Sequence, residues 1–218
     1  MFKPLAFTSR SACLAAALLC CVGAGVIGLA TTTPMAAAAP EPDPVPRRWE
    51  LQVDPGQMRL VTVDVPNVGE RKFFYLTFRV TNNSGQDMLF APSFQLSDGD
   101  GNVVRSGHEV PLSVTQKLLA ETQNPFIMDQ IGVIGELMQG SENAKDALVI
   151  WPANALNPSQ ITVYAAGFSG ETKTVTSPDG KDRFVLRKTL RLDYKAPGDL
   201  SGVAGQAFLL EERSWIMR

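Results

Sequence analysis

Residues 72–100, KFFYLTFRVTNNSGQDMLFAPSFQLSDGD, decide the fold class. Their first ten residues alternate with a period of two. One face of a strand would carry Phe74, Leu76, Phe78 and Val80, and the other face Phe73, Tyr75, Thr77 and Arg79. This alternation of aromatic and β-branched residues is typical of a strand with one face in a hydrophobic core. Because the second face also carries Phe73 and Tyr75, we expect it to be partly covered.

A turn and a second strand follow in the same stretch. Residues 82–87, NNSGQD, contain Asn and Gly, which tolerate the backbone angles of tight turns. Residues 88–96 form the next predicted strand, in which Pro92 indicates an edge position or a bulge because proline has no N–H. Residues 98–101, DGDG, predict another tight turn, and residues 102–105 a short returning strand.

Further strands are predicted on both sides of this hairpin. They lie at residues 49–53, 57–65, 147–151, 160–168, 184–194 and 207–217, and residues 54–56 form a predicted turn. Residues 184–194 alternate most regularly, although Lys188 interrupts their apolar face. About eight short strands separated by turn signals are typical of an antiparallel β-sandwich of the immunoglobulin type.

Two short helices are predicted inside this β-rich pattern, at about residues 113–139. Residues 113–122 have helical composition, and residues 126–138, FIMDQIGVIGELM, repeat apolar side chains at helical spacing. Gly140 then occupies the position of a helix C-cap. The predicted fold class is therefore mainly β, an antiparallel immunoglobulin-like β-sandwich with a short two-helix insertion.

The first 38 residues have the pattern of a secretory signal peptide. A short basic start precedes an uncharged apolar run at residues 11–30, and an alanine-rich end suits cleavage after Ala38. The alternative is an uncleaved membrane anchor, because about 20 apolar residues can span a bilayer. Residues 39–47 are a proline-rich linker, and residues 48–218 are predicted to form a single domain. We expect a periplasmic or extracellular location, with membrane contact only through residues 11–30 if the leader is retained.

Charge and cysteine content exclude several classes of function. The leader contains Lys3, Arg10 and no acid, so its removal takes the formal charge from −2 to −4. An acidic chain with scattered basic residues gives no electrostatic basis for nucleic-acid binding. All three cysteines, Cys13, Cys20 and Cys21, lie in the leader. Disulfides, thiol catalysis and cysteine metal sites are therefore excluded from the mature region.

The candidates for catalysis are few. His108 is the only histidine, so a Ser-His-Asp triad would have to use it. Its loop carries no partner motif, and the simpler interpretation is a solvated histidine. Glu136, Glu211 and Glu212 could in principle supply a carboxylate pair, although nothing in the sequence brings them together. We expect no catalytic residue and no cofactor.

The sequence also contains a possible calcium loop and a possible binding patch. Asp98, Asp100 and Asn102 have the spacing of calcium ligands, but Val103 stands where such a loop needs glycine. We therefore favour a plain hairpin turn there and predict no metal site. On the second face of the first hairpin strand, Phe73, Tyr75 and Arg79 form a possible binding patch. The competing interpretation is that the inserted helices cover this face.

The run YLTFRVTNNS at residues 75–84, with FQLSD at 94–98 and ALVIWP at 147–152, resembles exported bacterial immunoglobulin-like domains of unknown function. The resemblance covers residues 59–168 in pieces and implies a small β-sandwich of the kind found in secreted proteins and lipoproteins. It transfers no catalytic residue to this chain. The predicted helices and the residues after Phe168 depart from the family's pattern.

Three functions remain after these exclusions. The first is an exported, non-catalytic immunoglobulin-like module that binds an envelope or extracellular protein. The second is a carboxylate-based extracytoplasmic hydrolase, which requires two carboxylates in one cleft. The third is a structural envelope protein held at the membrane by its leader.

Overall fold

A computed structural model describes residues 40–154, 156–157, 159–195, 202 and 204–218. The described residues belong to one compact unit and are mainly β-strand, with one α-helix. The predicted signal peptide at residues 1–38 lies outside the described residues. Among the residues that are described, no helix has the length and apolar character needed to cross a membrane.

The strands and the helix have the following bounds: β1 Gln52–Val65, β2 Gly69–Asn82, β3 Met88–Phe90, β4 Ser93–Asp98, β5 Val103–Arg105, α1 Leu112–Glu121, β6 Met128–Asp129, β7 Gly135–Leu137, β8 Gly140–Pro152, β9 Ile161–Ala166, β10 Thr172–Thr176, β11 Arg183–Tyr194, β12 Ala207–Phe208 and β13 Leu210–Met217.

Two sheets account for most of these strands. The first sheet has the order β12-β1-β2-β8-β6, in which only the two-residue strand β6 runs parallel to its neighbour. The second sheet has the order β10-β11-β9-β4-β5, and β13 pairs with β11. Strands β3 and β7 form a separate antiparallel pair. The predicted class, mainly β with antiparallel sheets, is confirmed.

One hydrophobic cluster joins the two sheets. The predicted core face of β2 is confirmed, because Phe74, Leu76, Phe78 and Val80 are all buried in this cluster. From the second sheet, Phe94 places its ring 4.8 Å from the ring of Phe78. The rings of Phe168 and Phe78 pack edge to face, with their centres 5.8 Å apart. The alternating pattern of β2 therefore forms one side of the shared core.

The opposite face of β2 lies in a second, smaller cluster. Phe73 is buried there with Val114 and Leu118 of helix α1. Tyr75 packs at the edge of the same cluster and stays partly exposed. The sequence expectation that this face is partly covered is therefore confirmed, and α1 is the element that covers it.

The prediction of a second helix at residues 126–138 is wrong. The chain there forms β6, a turn and then β7. The carboxylate of Asp129 accepts the backbone N–H groups of Ile131 and Gly132 at 3.1 and 2.5 Å, which fixes a tight turn. Gly135 has a φ of +147°, which no helix contains. Gly140 consequently begins β8 and caps no helix, so the insertion contains one helix and not two.

Two other local predictions need correction. The predicted turn at residues 54–56 is a bulge inside the continuous strand β1, between Pro55 and Met58. A side chain on Gly56 would place its Cβ 2.2 Å from the Thr77 hydroxyl and 2.9 Å from a backbone oxygen, so glycine is required at this close approach. The predicted strand at 88–96 is divided at Pro92 into β3 and β4, which pair with different partners.

Replacement of Phe78 by alanine tests the assignment of the faces of β2. We expect Phe78→Ala to lower the free energy of unfolding by about 3–5 kcal/mol, because it leaves a cavity beside the rings of Phe94 and Phe168. Urea denaturation measures the loss. The neighbouring variant Arg79→Ala serves as the control and should lose far less, since Arg79 is exposed. Equal effects of the two variants would contradict this assignment.

Candidate functional site

A cavity lies between residues 40–50 and strands β11 and β13. It has a volume of about 690 Å³. We call it the proline cavity, and its lining consists of proline rings, apolar β13 residues and a few charged groups: Pro40, Glu41, Pro42, Asp43, Pro44, Pro46, Glu50, Lys188, Trp215, Ile216 and Met217. Its size and mixed lining are typical of ligand-binding cavities.

The proline-rich segment that forms one wall is attached to the second sheet. The backbone N–H of Asp43 donates to the Glu171 carboxylate at 2.7 Å. Lys173 donates to the Asp43 carboxylate at 2.9 Å and also to the backbone carbonyl of Glu41. The hydrogen bond from Lys173 lowers the pKa of Asp43 below its ordinary value. The segment predicted as a linker is therefore held against the sheet by an ion pair and backbone contacts.

Lys188 forms the polar floor of the cavity. Its ammonium lies 2.8 Å from Glu50 and 3.2 Å from Glu171, and only 4% of its side chain is exposed. It also lies 5.4 Å from the centre of the Trp215 ring, within the range of a cation–π contact. Burial opposes a charge on Lys188, but the hydrogen bonds to Glu50 and Glu171 outweigh it and raise the lysine pKa.

This electrostatic arrangement suits binding better than covalent chemistry. A lysine acts as a nucleophile only when it loses its proton, which requires a lowered pKa. The two carboxylates beside Lys188 have the opposite effect, so its ammonium stays charged and acts as a fixed structural group. The ring of Trp215 and the proline rings then supply apolar contact surface around a charged floor.

The three residues of the sequence-predicted patch have different environments. Phe73 is 2% exposed and contributes no surface to bind a partner. Arg79 is exposed, and its guanidinium makes two hydrogen bonds with Asp146 at 2.7 and 2.8 Å. That contact lowers the pKa of Asp146, and Asn124 donates to the same carboxylate at 3.0 Å. Partner binding by Tyr75 and Arg79 stays a prediction.

The remaining catalytic candidates are not brought together. His108 lies in an exposed loop, and its nearest carboxylate is that of its neighbour Glu109, at 4.0 Å. Glu136 belongs to β7, whereas Glu211 and Glu212 belong to β13 in another sheet. No group of three His, Cys, Asp or Glu residues within the described ranges has the geometry of a metal site.

Asp98 organises the β4–β5 turn, whose acidic residues have the spacing of calcium ligands. Its carboxylate accepts N–H groups from the backbones of Asp100, Asn102 and Asn157 and from the Asn102 side chain, at 2.9–3.0 Å. Burial alone would raise the pKa of Asp98, but these hydrogen bonds outweigh it and lower the pKa. Its oxygens therefore hold the β4–β5 turn against the loop at Asn157.

Sequence reasoning missed the proline cavity. Its lining comes from residues 40–50, from β11 and from β13, and only the strand order brings these segments together. One signal was available, because Lys188 interrupts the otherwise apolar face of the most regular strand. A lysine on a core face requires buried anionic partners, which here are Glu50 and Glu171.

No protein-family model matches this chain, and no curated protein or solved structure matches it significantly.

Replacement of Asp98 by asparagine tests the turn. We expect Asp98→Asn to destabilise the protein by about 1–3 kcal/mol at pH 7, because the new amide group faces donors where the carboxylate accepted them. The pKa of Asp98 is lower in the folded protein than its ordinary value of 3.8. The stabilisation by the ionised carboxylate is therefore fully present above pH 3.8, and it is lost as the pH falls through the pKa of the folded state.

Urea denaturation from pH 7 down to pH 2 measures both effects. The stability of Asp98→Asn should depend less on pH below about pH 5 than that of the wild type. Asp182→Asn, at an exposed aspartate of the β10–β11 turn, is the matched control. Parallel pH curves for the wild type and Asp98→Asn would contradict the role of the carboxylate.

Replacement of Lys188 by methionine tests the buried ion pairs. We expect Lys188→Met to cost about 3–5 kcal/mol of unfolding free energy. Among the described residues, it leaves Glu50 without a cation and leaves the buried Glu171 carboxylate with only the more distant Lys173, at 3.8 Å. The double variant Lys188→Met with Glu171→Gln should recover part of this loss, since it removes one of those charges. The exposed control Lys181→Met should change stability little. A Lys188→Met variant as stable as that control would contradict the pairing.

Proposed function

We propose that this chain is an exported, non-catalytic module of the immunoglobulin-like sandwich type that binds an envelope or extracellular protein at the proline cavity. The sandwich is supported by two mainly antiparallel sheets that share one hydrophobic cluster. Export is supported by the signal-like pattern of residues 1–38.

The observation that carries the proposal is the construction of the proline cavity. Its wall is an attached segment with a proline at every second position from Pro40 to Pro46, and its opposite side includes Trp215. Proline and tryptophan provide rigid apolar surface at a small cost in conformational entropy. Rigid aromatic side chains of this kind are enriched where one protein binds another.

Co-purification tests this function. The tagged protein is cross-linked in the envelope of the cell that produces it, and the retained proteins are identified by mass spectrometry. We expect one stoichiometric partner whose cross-links lie around the proline cavity. The mass of the mature protein also reports whether the leader has been removed after Ala38.

A matched pair of variants makes the test specific for the cavity. Pro44 lines the cavity, whereas the adjacent Val45 is exposed and does not line it. Pro44→Arg should reduce partner capture by about tenfold or more, which corresponds to about 1.4 kcal/mol. Val45→Arg should capture as much as the wild type. Capture that is unaffected by Pro44→Arg, or the absence of any stoichiometric partner, would overturn the proposal.

A further inference from the structure

Strand β13 has a free edge. Within the described ranges, β13 pairs with β11 and with no other strand. Arg187 and Arg218 exchange two backbone hydrogen bonds, at 2.7 and 3.0 Å, and are therefore a hydrogen-bonded pair of this ladder. Since bonded pairs alternate along an antiparallel ladder, Ser214 and Ile216 also direct their backbone groups toward β11.

The intervening residues direct their backbone groups away from β11. These residues are Arg213, Trp215 and Met217, which lie opposite residues of β11 in the non-hydrogen-bonded pairs of the ladder. No backbone partner for them occurs among the described residues. A row of unpaired N–H and C=O groups on an edge strand is a template for another extended chain.

The free edge adjoins the proline cavity. Trp215, Ile216 and Met217 of β13 line the cavity, and the side chains of Trp215 and Met217 share one face of the strand. A strand added beside β13 would place every second side chain on that same face, toward the cavity. Main-chain pairing beside a side-chain pocket is the arrangement used in recognition by β-strand addition.

The charges along the edge indicate the chemistry of the added strand. Glu211 and Glu212 are exposed, and neither forms an ion pair with any described residue. The one basic residue of β13 itself, Arg213, donates to the backbone carbonyl of Val53 at 2.8 Å. Opposite charges across a strand pair are favourable, so basic residues suit the positions opposite Glu211 and Glu212.

We propose that the partner binds as an added β-strand along the free edge of β13. Its basic side chains pair with Glu211 and Glu212, and an apolar side chain enters the proline cavity beside Trp215. This inference rests on the proposed function, because both use the same cavity. It specifies the mode of recognition and the type of segment that is recognised.

A second copy of this chain fits the edge less well. A symmetric antiparallel pair of β13 strands centred on Glu212 or on Arg213 would place like charges opposite each other. Centring on Ser214 would leave Glu211 and Glu212 opposite Met217 and Ile216, without a cation. Centring on Trp215 would set Glu212 opposite Arg218, but Arg218 donates to Gln95 at 2.6 Å and lies 4.0 Å from the centre of the Tyr164 ring. The charge pattern therefore favours a different, basic segment.

Hydrogen exchange of individual backbone amides, followed by NMR on the mature protein, tests the proposal. In the free protein we expect fast exchange at Arg213, Trp215 and Met217 and slow exchange at Ser214 and Ile216. The probe is a synthetic ten-residue peptide of alternating Val and Thr, with Lys at the two positions opposite Glu211 and Glu212. It should slow exchange at the three outward amides by at least tenfold.

Charge reversal makes the test specific for the proposed segment. A control peptide with Glu in place of Lys should leave the outward amides exchanging fast. In the variant Glu212→Lys the preference between the two peptides should be reversed or abolished. The proposal is overturned if the outward amides respond to neither peptide, or to both peptides equally. The two glutamates would then serve only to prevent edge association.

Other outcomes identify other occupants of the edge and equally overturn the proposal. Slow exchange at the outward amides in dilute free protein means that the chain's own residues cover the edge. Protection that grows with protein concentration means that a second copy binds there. If the captured partner binds while the outward amides still exchange fast, strand addition fails and the proposed function stands. If no partner is captured, the proposed function fails, and the peptide experiment still decides whether β13 binds an added strand.

Discussion

The unequal burial of the two faces of β2 is the constraint on which the rest of the structure depends. One face lies in the core shared by the two sheets, and the other is partly covered beside helix α1, with Phe73 buried and Arg79 exposed. A slip of one residue would exchange the two faces and move Arg79 into the shared core. Strands β1 and β8 pair with β2 along most of its length, so their registers follow from its register.

Periodicity was a reliable guide only where it agreed with burial. The faces of β2 could be predicted, because its alternating aromatic residues meet a core on both sides. The pattern at residues 126–138 was misleading, because Ile131 and Ile134 are 67% and 46% exposed and form no buried stripe. There, the short-range hydrogen bonds of the Asp129 carboxylate and the backbone of Gly135 outweigh the helical spacing of apolar residues.

The candidate site could not be predicted, since no local pattern encodes it. Glu50, Glu171 and Lys188 are far apart in the sequence, and they meet because β1 begins beside the loop that joins β9 to β10. By contrast, the predicted patch of Phe73, Tyr75 and Arg79 lies on one face of a single strand, and Phe73 and Tyr75 pack in the cluster that includes α1. Sequence pattern therefore indicates which faces are apolar, but the order of the strands decides which apolar surfaces remain accessible.

The spacing of the prolines explains how one segment can line the cavity without closing the neighbouring strand edge. Pro40, Pro42, Pro44 and Pro46 remove every second N–H, and in an extended chain these would all point to the same side. Among the intervening residues, Asp43 uses its N–H to bind Glu171. A segment with so few free donors cannot form a regular ladder. It supplies a rigid apolar wall and leaves the backbone groups of Trp215 and Met217 without a competitor from the same segment.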